Sequence, residues 1–241
     1  MNSVISKEVT VLSLGEIRFK DAWEKQEKIF NQTIETKIEN RRSETPKKTH
    51  NYLITCSHPH VYTIGKSGDK ENLLISRSEI EKRKLEYFKI NRGGDITYHG
   101  PGQLVVYPII DLENFFTDIH KYLRLLEESI ILTLKDYDID SGRVEGLTGV
   151  WVNHKKNNPK KICALGVKTS RWVSMHGLAL NVSTDLEYFK NIIPCGIENK
   201  DVTSIEKEIK KKITTREVEK KVIKNLSKVF GFQIKKIEKE I

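Results

Sequence analysis

Apolar residues alternate with polar ones, or cluster with β-branched ones, in several short stretches of the chain. Each stretch is bounded by glycine, proline or polar residues, as strands usually are. They predict strands at 8–14, 52–57, 61–64, 88–90, 104–110, 149–154, 162–168 and 177–182. Pro108 interrupts the fifth of them and predicts an irregular or edge position there, because proline cannot donate to a sheet ladder.

Apolar residues at helical spacing predict the helices. One helix should begin near Phe19, a surface helix should cover 79–84, and a longer one should begin at Thr117 or Asp118 as N-cap. Thr214 and Glu217 have the spacing of a capping box ahead of a further amphipathic helix. Gly231 is a plausible end for that helix.

Helices set among runs of strands predict an α+β fold, with a mixed, mostly antiparallel sheet and flanking helices. We expect one catalytic domain over residues 1–241, because one core can serve a chain of this length. Residues 37–50 are predicted to form an exposed loop, because residues 41–48 within them have no apolar face to bury. Residues 206–241 predict a lysine-rich, helical C-terminal segment.

Composition narrows the class of protein. Hydrophobic residues make up 37% and charged residues 31%, and no run approaches the roughly 18 apolar residues of a membrane-spanning helix. Because no signal-like start precedes the first strand, a cytoplasmic location is expected. The net charge of +9 comes from scattered lysines interleaved with glutamate, which favours a solvated surface over a nucleic-acid site. Such a surface would attract acidic partner proteins.

The densest candidate for chemistry is the segment from Arg92 to Gln103, with four glycines in twelve positions. Glycines let a backbone approach a ligand closely, and exposed N–H groups in such a loop bind carbonyl, carboxylate or phosphate oxygens. The alternative is a tight turn capped by Arg92. The addition of Thr97, His99 and Gln103 to one short loop favours a substrate-binding role.

Three cysteines, with no CxxC pair, predict neither a metal site nor a disulfide framework. Cys56 and Cys163 lie in strand-like runs and indicate core packing. Cys195 lies between Pro194 and Gly196 on a turn that a substrate could reach, although a lone cysteine is commonly structural. A nucleophilic thiol needs a nearby cation or base, and the candidates are His99, His176 and a lysine of the 155–161 hairpin.

The segment around 175–182 joins a histidine to an apolar strand. His176 could be a strand-end histidine or a catalytic one. Gly177 and Ala179 are small and would leave room for a slender ligand along the strand.

Four motifs in this order resemble the lipoyl(octanoyl) transferases, which are related to lipoate and biotin protein ligases. They are Arg92 to Gln103 followed by Tyr107-Pro108, Lys161 to Val167, His176 to Asn181, and Pro194 to Ile197. The resemblance spans about residues 8–205. It implies the α+β fold of biotin protein ligase catalytic domains.

The resemblance also implies roles for individual residues. Cys195 would form the acyl-thioester intermediate, and Lys161 would face it and lower the pKa of its thiol. The segments that would surround the acyl substrate are Arg92, Gly93, Gly94, Asp95, Ile96, Thr97, Tyr98 and His99, then Ala164, Leu165 and Gly166, then Gly177, Leu178 and Ala179. No metal and no cofactor is implied.

The implied reaction moves an octanoyl group from octanoyl-acyl carrier protein to a lysine of a lipoyl domain, in lipoate biosynthesis. The acceptors would be the E2 subunits of 2-oxoacid dehydrogenases and the glycine cleavage H protein, with no nucleic-acid or membrane partner. A lipoate ligase that activates its acid with ATP is the alternative enzyme. A basic nucleic-acid-binding domain is the alternative of another class.

Overall fold

The structure is a computed structural model that describes residues 4–193 and 201–239. Its helices within those ranges are α1 (Phe19–Asn40), α2 (Arg77–Lys82), α3 (Ile119–Lys135), α4 (Ile205–Ile209) and α5 (Thr215–Phe230). Its strands are β1 (Glu8–Glu16), β2 (Asn51–Ser57), β3 (Val61–Ile64), β4 (Glu86–Lys89), β5 (Ile96–His99), β6 (Gln103–Ile109), β7 (Ser141–Val144), β8 (Leu147–Val152), β9 (Lys160–Ser170), β10 (Val173–Asn181) and β11 (Gln233–Lys239).

Eight strands form one sheet in the order β11-β1-β2-β6-β10-β9-β8-β7. The pairs of β1 with β11 and with β2 are parallel, and every other neighbouring pair is antiparallel. A smaller sheet has the order β4-β3-β5. The predicted α+β class with a mixed, mostly antiparallel sheet is confirmed.

Helices cover both faces of the large sheet, so its central strands are buried on both sides. On one face, Tyr122, Leu126, Ile130 and Leu134 of α3 are fully buried against the sheet together with α5. On the other face α1 packs its Ala22 and Phe30. This explains the unbroken apolar run of β6, whose successive residues face opposite layers.

Pro108 does not lie in an edge strand, so that part of the prediction is wrong. β6 lies between β2 and β10. The hydrogen-bonded pairing of β6 with β10 ends at Val106, which pairs with Leu178. Position 108 lies beyond this end, so no backbone N–H is required there for pairing with β10. The Ser174 hydroxyl donates to the Pro108 carbonyl at 2.8 Å. The predicted irregularity is therefore present at a central position.

The helix boundaries follow the predicted caps. Asp118 is the N-cap of α3 and accepts from the backbone N–H of Lys121. Thr214 and Glu217 form the capping box of α5, and Gly231 ends that helix at a φ of 68°. None of the helices in the described ranges is both long and apolar enough to cross a bilayer.

Two predicted segments differ from the structure. The loop at 37–50 does not begin at residue 37, because α1 continues to Asn40 and buries Lys37 in ion pairs with Asp111 and Glu113. The C-terminal segment is not helical throughout, since β11 follows α5 and pairs with β1. β5, β7 and β11 were not predicted. The sequence of β11 is rich in lysine and has no buried face, so it does not predict a strand. It forms one because its backbone pairs with β1.

Candidate active site

A cavity of about 590 Å³ opens between the segment after β4 and the strands β9 and β10. Its volume lies within the range of small-molecule sites. Thirteen of the fourteen residues expected around the acyl group line it, as does Lys161. The lining residues are Phe19, Ile90, Arg92, Gly93, Gly94, Asp95, Ile96, Thr97, His99, Val105, Tyr107, Leu123, Gly146, Leu147, Thr148, Trp151, Lys161, Ala164, Leu165, Gly166, Val167, His176, Gly177, Leu178, Ala179, Phe189 and Val202.

The wall formed by β9 and β10 carries small residues in register. Ala164 pairs with Ala179, and Gly166 pairs with Gly177. A Cβ on Gly177 would overlap the carbonyl oxygen of Val106 and lie 2.7 Å from Pro108 Cδ. Gly166 and Gly177 thus let neighbouring backbone approach the wall closely, while Ala164 and Ala179 add only small side chains to it.

The Arg92 to Gly94 segment is fixed against two different strands. Arg92 is buried, and its Nη2 donates to the carbonyl oxygen of Thr63 at 2.8 Å and to that residue's hydroxyl at 3.0 Å. The backbone N–H of Gly93 donates to the carbonyl oxygen of Val167 in β9 at 2.9 Å. A Cβ on Gly166 would lie 2.8 Å from the Gly93 carbonyl oxygen, so only glycine lets the segment approach β9 this closely.

His99 is held in one tautomer. The amide nitrogen of Gln103 donates to the Tyr98 carbonyl and to Asn181 Oδ1, so Gln103 Oε1 is free to accept from His99 Nδ1 at 2.8 Å. Burial lowers the pKa of His99 to about 3, with further lowering from His58. The ring is therefore neutral and leaves Nε2 as an acceptor.

Tyr98 is the one expected substrate-contact residue that does not line the cavity. It alternates with Thr97 and His99 along β5, so its side chain lies on the other side of the strand. There it is fully buried, stacks on Tyr188 at 5.0 Å between ring centroids, and its hydroxyl contacts His60 Nδ1 at 2.7 Å. It supports the small sheet rather than the cavity.

His176 lines the cavity with a backbone φ of 61°, a left-handed conformation that is uncommon for histidine. Its backbone N–H donates to Gln26 Oε1 at 3.1 Å, whereas its ring makes no hydrogen bond to any residue in the described ranges. Burial, followed by the nearby Arg92, lowers its pKa to about 3. The cavity thus has a neutral, polar ring on its wall.

Lys161 lies at the start of β9, about 20 Å along the strand from Val167, the partner of His176. Its Nζ lies 4.7 Å from the centroid of the Trp151 ring. Its backbone N–H donates to the Asp201 carbonyl at 2.9 Å, and its carbonyl accepts from the Thr203 N–H at 3.0 Å. The backbone of Lys161 is therefore hydrogen-bonded, through both its N–H and its carbonyl, to residues 201–203.

Of the three thiols, Cys195 lies outside the described residues. Cys56 and Cys163 are buried, and burial raises the pKa of both thiols far above neutrality. They stay protonated and pack in the core, as predicted.

Glu127 was not predicted, although it supports this end of the cavity. It is fully buried on α3, and its Oε1 accepts from the backbone N–H of Gly149 at 3.0 Å. Its Oε2 pairs with Arg143 at 2.9 Å and with Arg124 at 2.8 Å. The Glu127 carboxylate therefore fixes the turn whose residues Gly146, Leu147 and Thr148 line the cavity. Glu127 and Glu128 are adjacent in α3, and the sequence does not indicate that one of them is buried.

Comparison with known proteins gives consistent results. The family model for lipoyl protein ligase A/B catalytic domains matches residues 20–227. Proteins named octanoyltransferase from Christiangramia forsetii and Flavobacterium johnsoniae are each 56% identical to this chain, over 96% and 95% of its length and 99% and 100% of theirs. The octanoyltransferase of Cytophaga hutchinsonii is 54% identical over 97% of both chains. The expected acyltransferase class is confirmed.

Solved structures share the fold at low identity. The bipartite lipoate protein ligase of Thermoplasma acidophilum superposes with a TM-score of 0.70 at 17% identity, over 97% of this chain and 88% of that one. The biotin protein ligase of Aquifex aeolicus, in complex with biotin and ATP, gives 0.52 at 14% identity, over 92% and 70%. These likenesses confirm the expected fold. The chain belongs to the lipoyl protein ligase A/B catalytic domain family, within the group formed by its octanoyltransferase relatives.

Proposed function

We propose that this chain takes an octanoyl group from the thioester of an acyl carrier protein onto the thiol of Cys195 and passes it to a lysine of a lipoyl domain. The observation that carries the proposal is the position of Lys161 on the wall of an otherwise mainly apolar cavity. Phe189 and Val202, which precede and follow Cys195 by six and seven positions, line the same cavity. The length of the chain between these two residues permits Cys195 to approach Lys161.

The acyl chain would lie along the small residues of β9 and β10. Each buried methylene contributes about 0.8 kcal/mol, so the six methylenes of an octanoyl group contribute about 5 kcal/mol. The substrate-binding role of residues 92–97, His99, 164–166 and 177–179 rests on their shared place around this cavity.

In the first half-reaction, the Cys195 sulfur attacks the thioester carbonyl carbon and forms a new carbon–sulfur bond. The bond to the carrier's sulfur breaks, and the departing thiolate takes the proton that Cys195 has lost, through Lys161. The ammonium of Lys161 stabilises the attacking thiolate. Exchange of one thioester for another is nearly isoenergetic, so no ATP is required.

In the second half-reaction, the amine of an acceptor lysine attacks the same carbonyl carbon. An amide bond forms as the bond to Cys195 breaks, and the proton lost by the amine returns to the Cys195 sulfur through Lys161. One residue then acts first as an acid and then as a base. Formation of an amide from a thioester drives the step.

The partners follow from the same reaction. The donor would be octanoyl-acyl carrier protein, and the acceptors would be E2 subunits and the glycine cleavage H protein in the cytoplasm. The net charge of +9 favours encounter with acidic proteins.

The test is incubation with octanoyl-acyl carrier protein in the absence of ATP, followed by mass spectrometry of the intact protein. We expect one octanoyl group on the parent and none on Cys195→Ser, while Cys163→Ser, a matched variant at a buried thiol, retains the adduct. An acylation that requires ATP would instead identify the chain as a lipoate ligase.

A further inference from the structure

A second cavity, of about 410 Å³, carries a concentration of lysines that the proposed chemistry does not use. We call it the lysine cleft. Its lining consists of Ser183, Thr184, Leu186, Ser204, Glu206, Lys207, Lys210, Lys211 and Lys212.

The four lysines of the cleft are exposed, and none lies within ion-pair distance of an acidic side chain in the described ranges. Lys37, Lys48 and Lys190, by contrast, do have such partners. Glu206 is the acidic member of the lining, and its Oε2 accepts from the backbone N–H of Ile213 at 3.4 Å. The cleft therefore has a strong excess of positive charge.

Backbone contacts fix the walls of the cleft. Lys210 ends α4 at a φ of 53°, which turns residues 210–212 back beside the helix. The backbone N–H of Glu206 donates to the Val182 carbonyl at 2.9 Å, at the end of β10. The Thr184 hydroxyl donates to the Gly102 carbonyl at 3.1 Å. The segments that carry the hydroxyl groups and the lysines are thus both fixed by backbone contacts at one cleft.

The lysine cleft and the acyl cavity are neighbours along two separate segments. Leu186 lines the cleft and Phe189 lines the cavity, three residues later. Val202 lines the cavity and Ser204 lines the cleft, two residues later. Two residues span at most about 7 Å, so the two cavities lie close together at Val202 and Ser204.

We propose that the lysine cleft binds the phosphate of the phosphopantetheine arm that carries the octanoyl group. This inference rests on the proposed function. The arm joins the thioester to a phosphate on the carrier protein, and ammonium and hydroxyl groups are good partners for phosphate oxygens. The acceptor lysine brings no phosphate, so the four lysines of the cleft offer it no ion-pair partner. The cleft therefore fits the donor.

The test compares two small donors, octanoyl-phosphopantetheine and octanoyl-pantetheine, which differ in the phosphate alone. For the parent we expect kcat/KM to be roughly tenfold higher with the phosphorylated donor, because only that donor can form charge-assisted contacts with the lysines of the cleft. A variant with Lys207→Ala, Lys211→Ala and Lys212→Ala should lose most of this preference. Its rate with octanoyl-pantetheine should stay at the parent value.

The matched control replaces three exposed lysines of α5 outside the cleft: Lys220→Ala, Lys224→Ala and Lys228→Ala. It removes the same charge and should keep the preference for the phosphorylated donor. Equal losses on both donors, or a rise in KM for the lipoyl-domain acceptor alone, would overturn the assignment of the cleft. A parent protein that forms no acyl-enzyme from either donor contradicts the proposed function as well, so the two failures are distinguishable.

Discussion

The buried carboxylate of Glu127 accepts a hydrogen bond from the backbone N–H of Gly149, which lies beside the stem of Lys161. A Cβ on Gly149 would lie 3.5 Å from Lys161 Cε, and the φ of 123° at this position suits only glycine. An acidic residue on α3 therefore sets the path of the chain next to the proposed acid–base residue.

Two replacements of Glu127 should distinguish the contribution of its charge to stability from that of its hydrogen bond to Gly149. Glu127→Ala should lower the free energy of unfolding by about 2 to 4 kcal/mol, because Gly149 and both arginines lose a buried partner. Glu127→Gln keeps an acceptor for Gly149 and should cost less. Urea unfolding measures both, and the neighbouring Glu128→Gln serves as the control. Equal losses in the Gln and Ala variants would show that the charge alone matters.

Lys161→Met should shift the reactivity of Cys195 rather than the stability of the fold. Without the ammonium, the apparent pKa of the Cys195 thiol should rise, so its alkylation rate should increase at higher pH than in the parent. Lys160→Met, one position away, is the matched control. The rate of iodoacetamide labelling against pH gives the profile, and an unchanged profile in Lys161→Met would remove this residue from its proposed role.

The position of Gly177 should tolerate no side chain. Gly177→Ala would force a Cβ into the Val106 carbonyl, and overpacking of this kind costs about 1 to 3 kcal/mol or more. Gly93→Ala is a suitable comparison, because its Cβ would meet only the Val167 carbonyl at 3.4 Å. Chemical denaturation should place the Gly177 variant well below the Gly93 variant in stability. Similar losses in the two would contradict the packing described for β10.

His176 should limit the length of the acyl chain. A chain that starts at Lys161 and runs along β9 approaches this ring as it lengthens, and an apolar end would deprive the ring of solvent partners. We expect His176→Leu to raise the ratio of kcat/KM for dodecanoyl over octanoyl donors roughly fivefold, since about 1 kcal/mol of that cost is removed. His176→Asn, which tolerates a positive φ and stays polar, should leave the ratio near that of the parent.

Three buried histidines predict a loss of stability in acid. Burial lowers the pKa to about 4 for His58 and to about 3 for His99 and His176. Unfolded histidines bind protons below about pH 6.5, so the unfolded state gains protons that the folded state excludes. Stability should therefore fall as the pH drops from about 6.5 toward 4, by up to about 4 kcal/mol per pH unit from these three groups.

Urea unfolding at a series of pH values measures this slope. His99→Gln should reduce it by about one proton. The exposed His120→Gln is the control and should leave it unchanged. A parent slope near zero over this range would contradict the neutral state of the three rings.

Most of the expected substrate-binding residues line the cavity because they belong to the motifs that carry the family resemblance. Ala164 and Gly166 face Ala179 and Gly177 only because β9 and β10 are antiparallel neighbours, a pairing that the sequence did not predict. Tyr98 was expected to contact the substrate because it lies within the Arg92 to Gln103 motif. Side chains alternate along β5, however, so the side chain of Tyr98 lies on the side away from the cavity. Glu127, Trp151 and Val202 come from distant segments, and their place at the cavity depends on packing that no local pattern records.

Burial of charge was the other feature that could not be predicted. Lys37 lies in a polar stretch of sequence, yet the fold encloses it with Asp111 and Glu113. The local sequence around either partner does not predict a buried ion pair. A carboxylate or an amine considered alone is expected at the surface.

The parallel pairing of β11 with β1 joins the two ends of the chain at one margin of the large sheet. During synthesis β1 emerges before β11, and the other described strands and helices must follow β1 before its outer neighbour exists. Until then, its unpaired backbone groups are open to strands of other molecules, which is a known route to aggregation. A protein shortened after Phe232 would keep its buried core and its cavity, but it would leave that margin permanently uncovered.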